Sequence, residues 1–155
     1  MGLVDPKSRG AVLVVDDDED LRAMLRETLE CERYFVLEAD DGKDALEILR
    51  VAGAGVVRLI ILDLVMPSMS GWELIEILRR DPMLSGIPVL VTTGMPVHGD
   101  ASGIGATMSW LRKPFGEKAL LAAVGEAMSG ASCLDADEPG APRLGSRPSP
   151  PHHDR

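Results

Sequence analysis

Cysteine is scarce in this sequence, and its two cysteines lie far apart. Cys31 and Cys133 are the only cysteines among 155 residues, and neither belongs to a metal-ligand spacing pattern. This scarcity argues against a disulfide framework and against a cysteine-bound zinc site. It favours a reducing compartment, so we expect a cytoplasmic protein.

Positive charge and long apolar runs are scarce as well. The chain has 16 Lys and Arg against 25 Asp and Glu, a formal net charge of −9, and the acidic residues are spread along it. Such a chain is a poor candidate for direct binding to nucleic acid or to anionic membranes. No apolar stretch approaches the length that crosses a bilayer, and the polar segment 1–10 is unlike a secretory signal.

The sequence does contain a regular alternation of strand-like and helix-like segments. Hydrophobic residues make up 45% of the chain, which is enough for one core. The predicted strands are 11–15, 34–38, 59–62, 88–92 and 109–112, and the predicted helices are 19–30, 44–50, 70–80 and 117–128. This order predicts an α/β domain with a doubly wound, five-stranded parallel sheet.

Composition divides the chain into three parts. Residues 10–128 carry the alternating pattern and are the predicted domain, while residues 1–9 form a short N-terminal extension. From residue 129 to residue 155 Gly, Ala, Pro, Ser and Asp dominate and apolar residues nearly vanish. Such a tail buries too little surface to offset its ordering entropy, so we expect it to be disordered.

Two predicted strands end in carboxylates. The apolar run 59–62 is typical of a strand buried on both faces; it leads into Asp63, and Pro67 then stops regular structure. An earlier buried strand leads into Asp16 and Asp17. Because ligands of doubly wound sheets bind at the carboxyl ends of the strands, beside the switch in strand order, we expect these side chains to converge.

The converging residues predict a phosphoryl-accepting site. Asp16, Asp17 and Asp63 repel one another when they are ionised and close, and a hard divalent cation such as Mg²⁺ relieves that repulsion. Lys113 and Thr93, at the ends of two further strands, add a positive charge and a hydroxyl. Since these partners stabilise negative charge on phosphoryl oxygens, Asp63 is the predicted nucleophile, forming an aspartyl phosphate.

The motifs resemble those of two-component response-regulator receiver domains. They are Val14-Val15-Asp16-Asp17, Leu62-Asp63-Leu64-Val65-Met66-Pro67 with Gly71, Pro88-Val89-Leu90-Val91-Thr92-Thr93-Gly94, and Lys113-Pro114-Phe115. The resemblance implies a flavodoxin-like fold with strand order 2-1-3-4-5. It also implies that Asp63 accepts a phosphoryl group from the phosphohistidine of a sensor histidine kinase or phosphotransfer protein.

The resemblance also implies roles for the surrounding residues. Asp16 and Asp17, with Asp63 and the backbone carbonyl of Val65, would bind Mg²⁺. Lys113 would pair with the phosphoryl group, through a cis bond to Pro114. The output would be a switched protein-interaction surface, in a stand-alone receiver or in part of a larger regulator or hybrid kinase.

Two residues are candidates for the switch. Counting from Pro88 to a hydroxyl followed by a small residue favours Thr93 over Thr92, and alternation along a strand would then turn Thr92 away from the site. Three residues before the lysine, where the family usually has Tyr or Phe, stands Trp110. The resemblance implies that this ring swings inward when Thr93 moves; a packed surface aromatic is the other interpretation.

The segment 94–106 departs from the family pattern. The family normally has a full helix here, but repeated Gly and Pro predict a weak or shortened fourth helix. Val65 and Met95, two residues beyond Asp63 and Thr93, are apolar and leave nothing to orient an attacking water. We therefore expect slow self-dephosphorylation.

Two other functions remain open from the sequence. A Mg²⁺-dependent phosphatase or phosphotransferase would also use an aspartyl nucleophile, but such enzymes usually carry a second Asp where this chain has Val65. A pseudo-receiver that only binds partners would not need Asp16, Asp17, Asp63, Thr93 and Lys113 together. We therefore expect a phosphoacceptor protein rather than an enzyme.

Overall fold

The strands of this protein form one parallel sheet, with helices on both of its faces. The computed structural model describes residues 9–53, 55–66, 68–94 and 108–129. In chain order the elements are β1 (Ala11–Val15), α1 (Glu19–Cys31), β2 (Phe35–Ala39), α2 (Gly42–Ala52), β3 (Val57–Asp63), α3 (Gly71–Arg80), β4 (Val89–Thr93), β5 (Met108–Arg112) and α4 (Glu117–Met128). None of the helices in these ranges is long and apolar enough to cross a membrane.

The strand order is β2-β1-β3-β4-β5, and every pairing is parallel. This confirms the five-stranded, doubly wound sheet expected from the alternation of elements and the strand order implied by the family resemblance. The chain moves from β1 to one side and then returns to its other side with β3, so the switch in strand order lies between β1 and β3. A ligand site is expected at the carboxyl ends of these two strands.

Two apolar clusters cover the two faces of the sheet. One contains Leu13, Ile60 and Val91 together with residues of α2 and α3. The other contains Val14 and Ile61 together with residues of α1 and α4. Because successive side chains along a strand point to opposite faces, both clusters draw on the same strands. The central strands are thereby buried on both faces, as their continuous apolar runs predicted.

Helix starts follow local sequence signals. Asp18 is the N-cap of α1, and Ser70 is the N-cap of α3, where its hydroxyl accepts a hydrogen bond from the Glu73 N–H. Both caps were predicted from the sequence. The segment 94–106, expected to carry a shortened fourth helix, lies outside the described residues from position 95 onward, as do most of the predicted extension and of the predicted tail.

Candidate functional site

The acidic run after β1 divides into three different environments. Asp16 is buried, and its Oδ1 accepts a hydrogen bond from the Asp18 N–H at 2.9 Å. Asp17 is exposed. The Oδ1 of Asp18 accepts from the N–H groups of Asp20 and Leu21, at 3.0 and 3.2 Å. Asp18 therefore belongs to the helix start, and Asp16 and Asp17 remain for the site.

An arginine ties the loop that carries these acids to the neighbouring strand. Arg22 Nη1 donates to the Asp16 backbone carbonyl at 2.6 Å. Its Nε lies 3.5 Å from Glu38 Oε1 on β2, an ion pair without hydrogen-bond geometry. Arg26 Nη1 contacts the other Glu38 oxygen at 2.9 Å. Sequence reasoning missed this contact, since no motif relates Arg22 to Glu38.

Asp63 ends β3 and is buried at the carboxyl edge of the sheet. A Cβ on Gly71 would lie 2.6 Å from the Asp63 carbonyl oxygen and 2.7 Å from Leu64 Cα, so only glycine fits there. The Gly71 N–H donates to the Leu64 carbonyl at 3.0 Å. The first residue of α3 is thus packed against the backbone of the Asp63 turn.

Lys113 reaches two of the acids at once. Its N–H donates to the Thr93 carbonyl at 2.8 Å, which holds the end of β5 beside the end of β4. Its Nζ lies 3.2 Å from Asp16 Oδ2 and 3.6 Å from Asp63 Oδ1. The bond from Lys113 to Pro114 is cis, as the resemblance implied. The amine lies where it can neutralise either carboxylate.

The electrostatics of Asp63 reflect this crowding. Burial raises the pKa of Asp63 above its ordinary value, and the nearby Asp16 carboxylate raises it further. The Lys113 ammonium and the Val65 N–H, which donates to Asp63 Oδ1 at 3.4 Å, lower the pKa, but their effect is smaller. The protein therefore holds Asp63 in an arrangement that an additional cation would stabilise.

The donor set fits a hard divalent cation. Asp16, Asp17 and Asp63 each offer a carboxylate oxygen, and these atoms lie within 4.8 Å of one another. All three donors are oxygens, and two of the carboxylates are buried beside each other, which suits Mg²⁺. The backbone carbonyl of Val65 as a fourth ligand stays a prediction.

The two threonines at the end of β4 are both buried, but they belong to different faces of the sheet. Thr92 is the register partner of Asp63 on β3. Alternation places Thr93 on the face of Val91, whose register partner on β5 is Trp110. Thr92 thus lies beside the predicted acceptor, and Thr93 shares a face with the predicted switch ring. The choice of Thr93 stays a prediction.

Trp110 has a neighbour that sequence reasoning missed. Its ring lies 5.9 Å from the ring of Trp72, centroid to centroid, at an interplanar angle of 49°. Trp72 is the second residue of α3, and nothing in the sequence relates it to β5. Met95, the other residue expected to shield the site from water, lies outside the described residues.

Comparisons with known proteins agree with this geometry. A family profile for the response regulator receiver domain matches residues 12–125. The chain is 36% identical over 115 residues to the transcriptional regulatory protein YrkP of Bacillus subtilis (strain 168) and 33% identical over 116 residues to the transcriptional regulatory protein CpxR of Escherichia coli (strain K12). Each match covers 73% of this chain and 47% of the relative, so the chain spans about half the length of these proteins.

Solved structures show the same fold. The chemotaxis protein CheY4 of Vibrio cholerae has a TM-score of 0.68 and 32% identity, over 76% of this chain and 98% of that one. The receiver domain of the hybrid histidine kinase CckA has a TM-score of 0.65 and 29% identity, over 77% of this chain and 99% of that one. Since the family match runs from β1 into α4, the chain belongs to the response regulator receiver domains, the phosphoacceptor signalling modules of two-component systems.

Proposed function

We propose that Asp63 accepts a phosphoryl group from the phosphohistidine of a sensor histidine kinase or a phosphotransfer protein. The observation that carries this proposal is the position of the Lys113 amine, 3.2 Å from Asp16 and 3.6 Å from Asp63. An ammonium group that lies beside two buried carboxylates can also stabilise the negative charge that develops on the oxygens of a transferred phosphoryl group. A purely structural ion pair would need only one acid.

The transfer is a displacement at phosphorus. A carboxylate oxygen of Asp63 forms a bond to the phosphorus, and the phosphorus–nitrogen bond of the donor histidine breaks. The imidazole nitrogen keeps the electron pair and takes up a proton, while Asp63 becomes an acyl phosphate. Negative charge shifts toward the phosphoryl oxygens during this step, and the Lys113 ammonium stabilises it there.

Asp16, Asp17 and Asp63 would hold Mg²⁺ in this site, with the Val65 carbonyl as a further ligand. Bound Mg²⁺ supplies positive charge that offsets the carboxylates and the transferred group. Arg22 keeps the Asp16 backbone in place through its 2.6 Å hydrogen bond. The acids themselves keep the site selective for a hard cation.

The phosphorylated state is read through Thr93 and Trp110. The phosphoryl group adds about −1.5 to −2 charge at the end of β3, which favours a hydroxyl donor drawn toward it. Thr93 shares a sheet face with Trp110, so a shift of Thr93 makes room for the ring to move inward. The output is then a changed surface that binds a protein partner.

We expect the acyl phosphate to decay slowly. Val65, two residues beyond the acceptor, is an exposed apolar side chain and offers no group that could orient a water molecule. A Val65→Asn variant would supply such a group, so its labelled phosphoprotein should decay several-fold faster than wild type. Equal decay rates would contradict this explanation of the lifetime.

Incubation with acetyl phosphate and Mg²⁺, followed by intact-mass measurement, tests the proposal. The wild-type chain should gain one phosphoryl group, and Asp63→Asn should gain none. Asp18→Asn is the matched control, because it removes a charge from the same acidic run while keeping a residue that caps helices. A phosphoryl group on Asp63→Asn would refute the assignment, and repeated turnover of phosphate esters would instead indicate a phosphatase.

A further inference from the structure

The two tryptophans of this chain meet at the β5 edge of the sheet. Trp72 lies in the first turn of α3 and is 49% exposed, and Trp110 lies on β5, partly buried against the core cluster that contains Leu74 and Ile75. Their ring centroids are 5.9 Å apart with the planes tilted by 49°, within the range of favourable aromatic pairs. Trp72 therefore lies against the Trp110 ring and is the more exposed residue of the pair.

Trp110 is held by packing rather than by a hydrogen bond. Its indole nitrogen is buried, yet the part of the chain that the structure describes offers it no hydrogen-bond partner. A buried indole N–H usually has one, because an unpaired donor away from water is unfavourable. The ring is thus fixed mainly by its neighbours, and Trp72 is the aromatic ring among them.

Both rings are connected to the acceptor by short stretches of backbone. Trp72 follows Gly71, whose N–H donates to the Leu64 carbonyl next to Asp63. Trp110 is the register partner of Val91, two residues before Thr93 on the same sheet face. The position of Trp72 is therefore set by the end of β3, and that of Trp110 by the end of β4.

We propose that Trp72 is a positioning residue that holds the Trp110 ring in its present position beside α3 and so opposes the phosphorylated state. This inference rests on the proposed function, since it concerns how the acceptor is regulated. Movement of the Trp110 ring toward Thr93 would take it away from Trp72 and separate the pair. Because binding and conformational equilibria are linked, removing Trp72 makes phosphorylation of Asp63 more favourable.

The ring pair can be measured before any phosphorylation. Two indoles in contact give an exciton-coupled circular dichroism signal that neither gives alone. The wild-type spectrum should therefore differ from the sum expected from Trp72→Phe and Trp110→Phe. Acetyl phosphate and Mg²⁺ are then added, and the fraction of phosphorylated chains is measured by intact mass on the same sample. The coupled signal should fall as the fraction of chains phosphorylated on Asp63 rises.

Substitution at position 72 tests the opposition directly. Trp72→Ala should raise the rate and extent of phosphorylation by acetyl phosphate about threefold to tenfold, which corresponds to about 0.6 to 1.4 kcal/mol for one aromatic pair. Trp72→Phe keeps a ring against Trp110 and should stay close to wild type. Phe35→Ala is the matched control, because Phe35 is 52% exposed on β2, at the opposite edge of the sheet, and should have no effect.

Three outcomes overturn the inference, and they can be told apart. A coupled signal that persists at full phosphorylation shows that the rings stay together, while the proposed function stands. Equal phosphorylation of wild type and Trp72→Ala shows that the contact opposes nothing. A wild-type chain that gains no phosphoryl mass refutes the proposed function and this coupling together.

Discussion

The centre of the sheet and its β5 edge have opposite characters. Every residue of β1 is buried, and so is every residue of β3 except Arg58, whereas β5 has one buried residue, three partly buried and one exposed. Within the described residues, three side-chain polar atoms are buried without a hydrogen bond, and two of them, Ser109 Oγ and Trp110 Nε1, lie on β5.

This difference matches the tasks proposed for the two regions. An acceptor carboxylate requires fixed geometry, because small displacements weaken the stabilisation of the transferring group. The central strands provide it through packing on both faces. A switch requires two arrangements of similar free energy, and a weakly packed edge strand with unpaired polar groups allows them.

Core substitutions give the largest expected contrast between the two regions. Ile60→Ala removes a fully buried side chain from β3 and should lower the free energy of unfolding by about 2–5 kcal/mol. Leu111→Ala on β5 removes a partly buried one and should lower it by roughly 1 kcal/mol, the centre of measured single substitutions. Urea unfolding of both variants checks this, and equal losses would erase the contrast.

Lys113 links the edge to the centre, so its loss should affect chemistry. Lys113→Met keeps most of the length of the side chain but removes the charge that stabilises the transferring group, and phosphorylation of Asp63 by acetyl phosphate should slow by about 100-fold. Lys118→Met, an exposed lysine in the first turn of α4, is the control. If phosphorylation slows equally in both variants, the net charge of the protein rather than the position of the Lys113 amine is responsible.

Arg22 should contribute to cation binding at the centre. Arg22→Met removes the hydrogen bond to the Asp16 carbonyl and should weaken Mg²⁺ binding by roughly 10- to 100-fold, the scale of a hydrogen bond from a charged donor. Arg26→Met loses only the contact to Glu38 and should bind Mg²⁺ almost normally. Calorimetric titration compares them, and a similar loss in both would place the effect in Glu38 rather than in the loop.

Paired threonine variants decide which hydroxyl belongs to the switch. Thr93→Val should still allow phosphorylation of Asp63 but should lower the equilibrium constant of the accompanying Trp110 movement, followed by fluorescence, about fivefold, the scale of one net hydrogen bond. Thr92→Val should change this response less. Both substitutions are made in a Trp72→Phe background, so that the fluorescence comes from Trp110 alone. A larger loss in Thr92→Val would assign the switch role to Thr92, the register partner of Asp63.

The raised pKa of Asp63 predicts a small stability effect with a definite sign. The folded state binds the Asp63 proton more tightly than the unfolded chain, so this group lowers stability as pH rises from about 3.8 through the higher folded pKa. Asp63→Asn should therefore raise the metal-free melting temperature at neutral pH, since the amide carries no charge that burial penalises.

Two conditions test whether the higher melting temperature of Asp63→Asn comes from the ionisation of Asp63. Below pH 3.8, the ordinary carboxyl pKa, Asp63 is protonated in both states and the advantage of Asp63→Asn should vanish. Added Mg²⁺ should raise the melting temperature of wild type more than that of the variant, because it binds the folded site. An advantage that is constant with pH would assign the effect to packing instead.

The elements of the fold were predictable because their signals are local. The apolar run ending at Asp63 was typical of a doubly buried strand, and the Ser70 cap was visible from its spacing to Glu73. Boundaries moved by a few residues, as when β3 extended back to Val57 and α2 to Gly42. The first residues of β3 and α2 depend on pairing with neighbouring strands and on the conformation of the preceding loops.

The sequence by itself determined which residues could carry the chemistry. Strand-end carboxylates and a lysine follow from the alternation of apolar runs, and parallel strands bring their carboxyl ends to one edge. Only the tertiary structure decided that Lys113 lies between Asp16 and Asp63, that Arg22 reaches across to Glu38, and that Trp72 lies against Trp110. These contacts join side chains of different elements, so their distances depend on how the helices pack on the sheet, which no local pattern encodes.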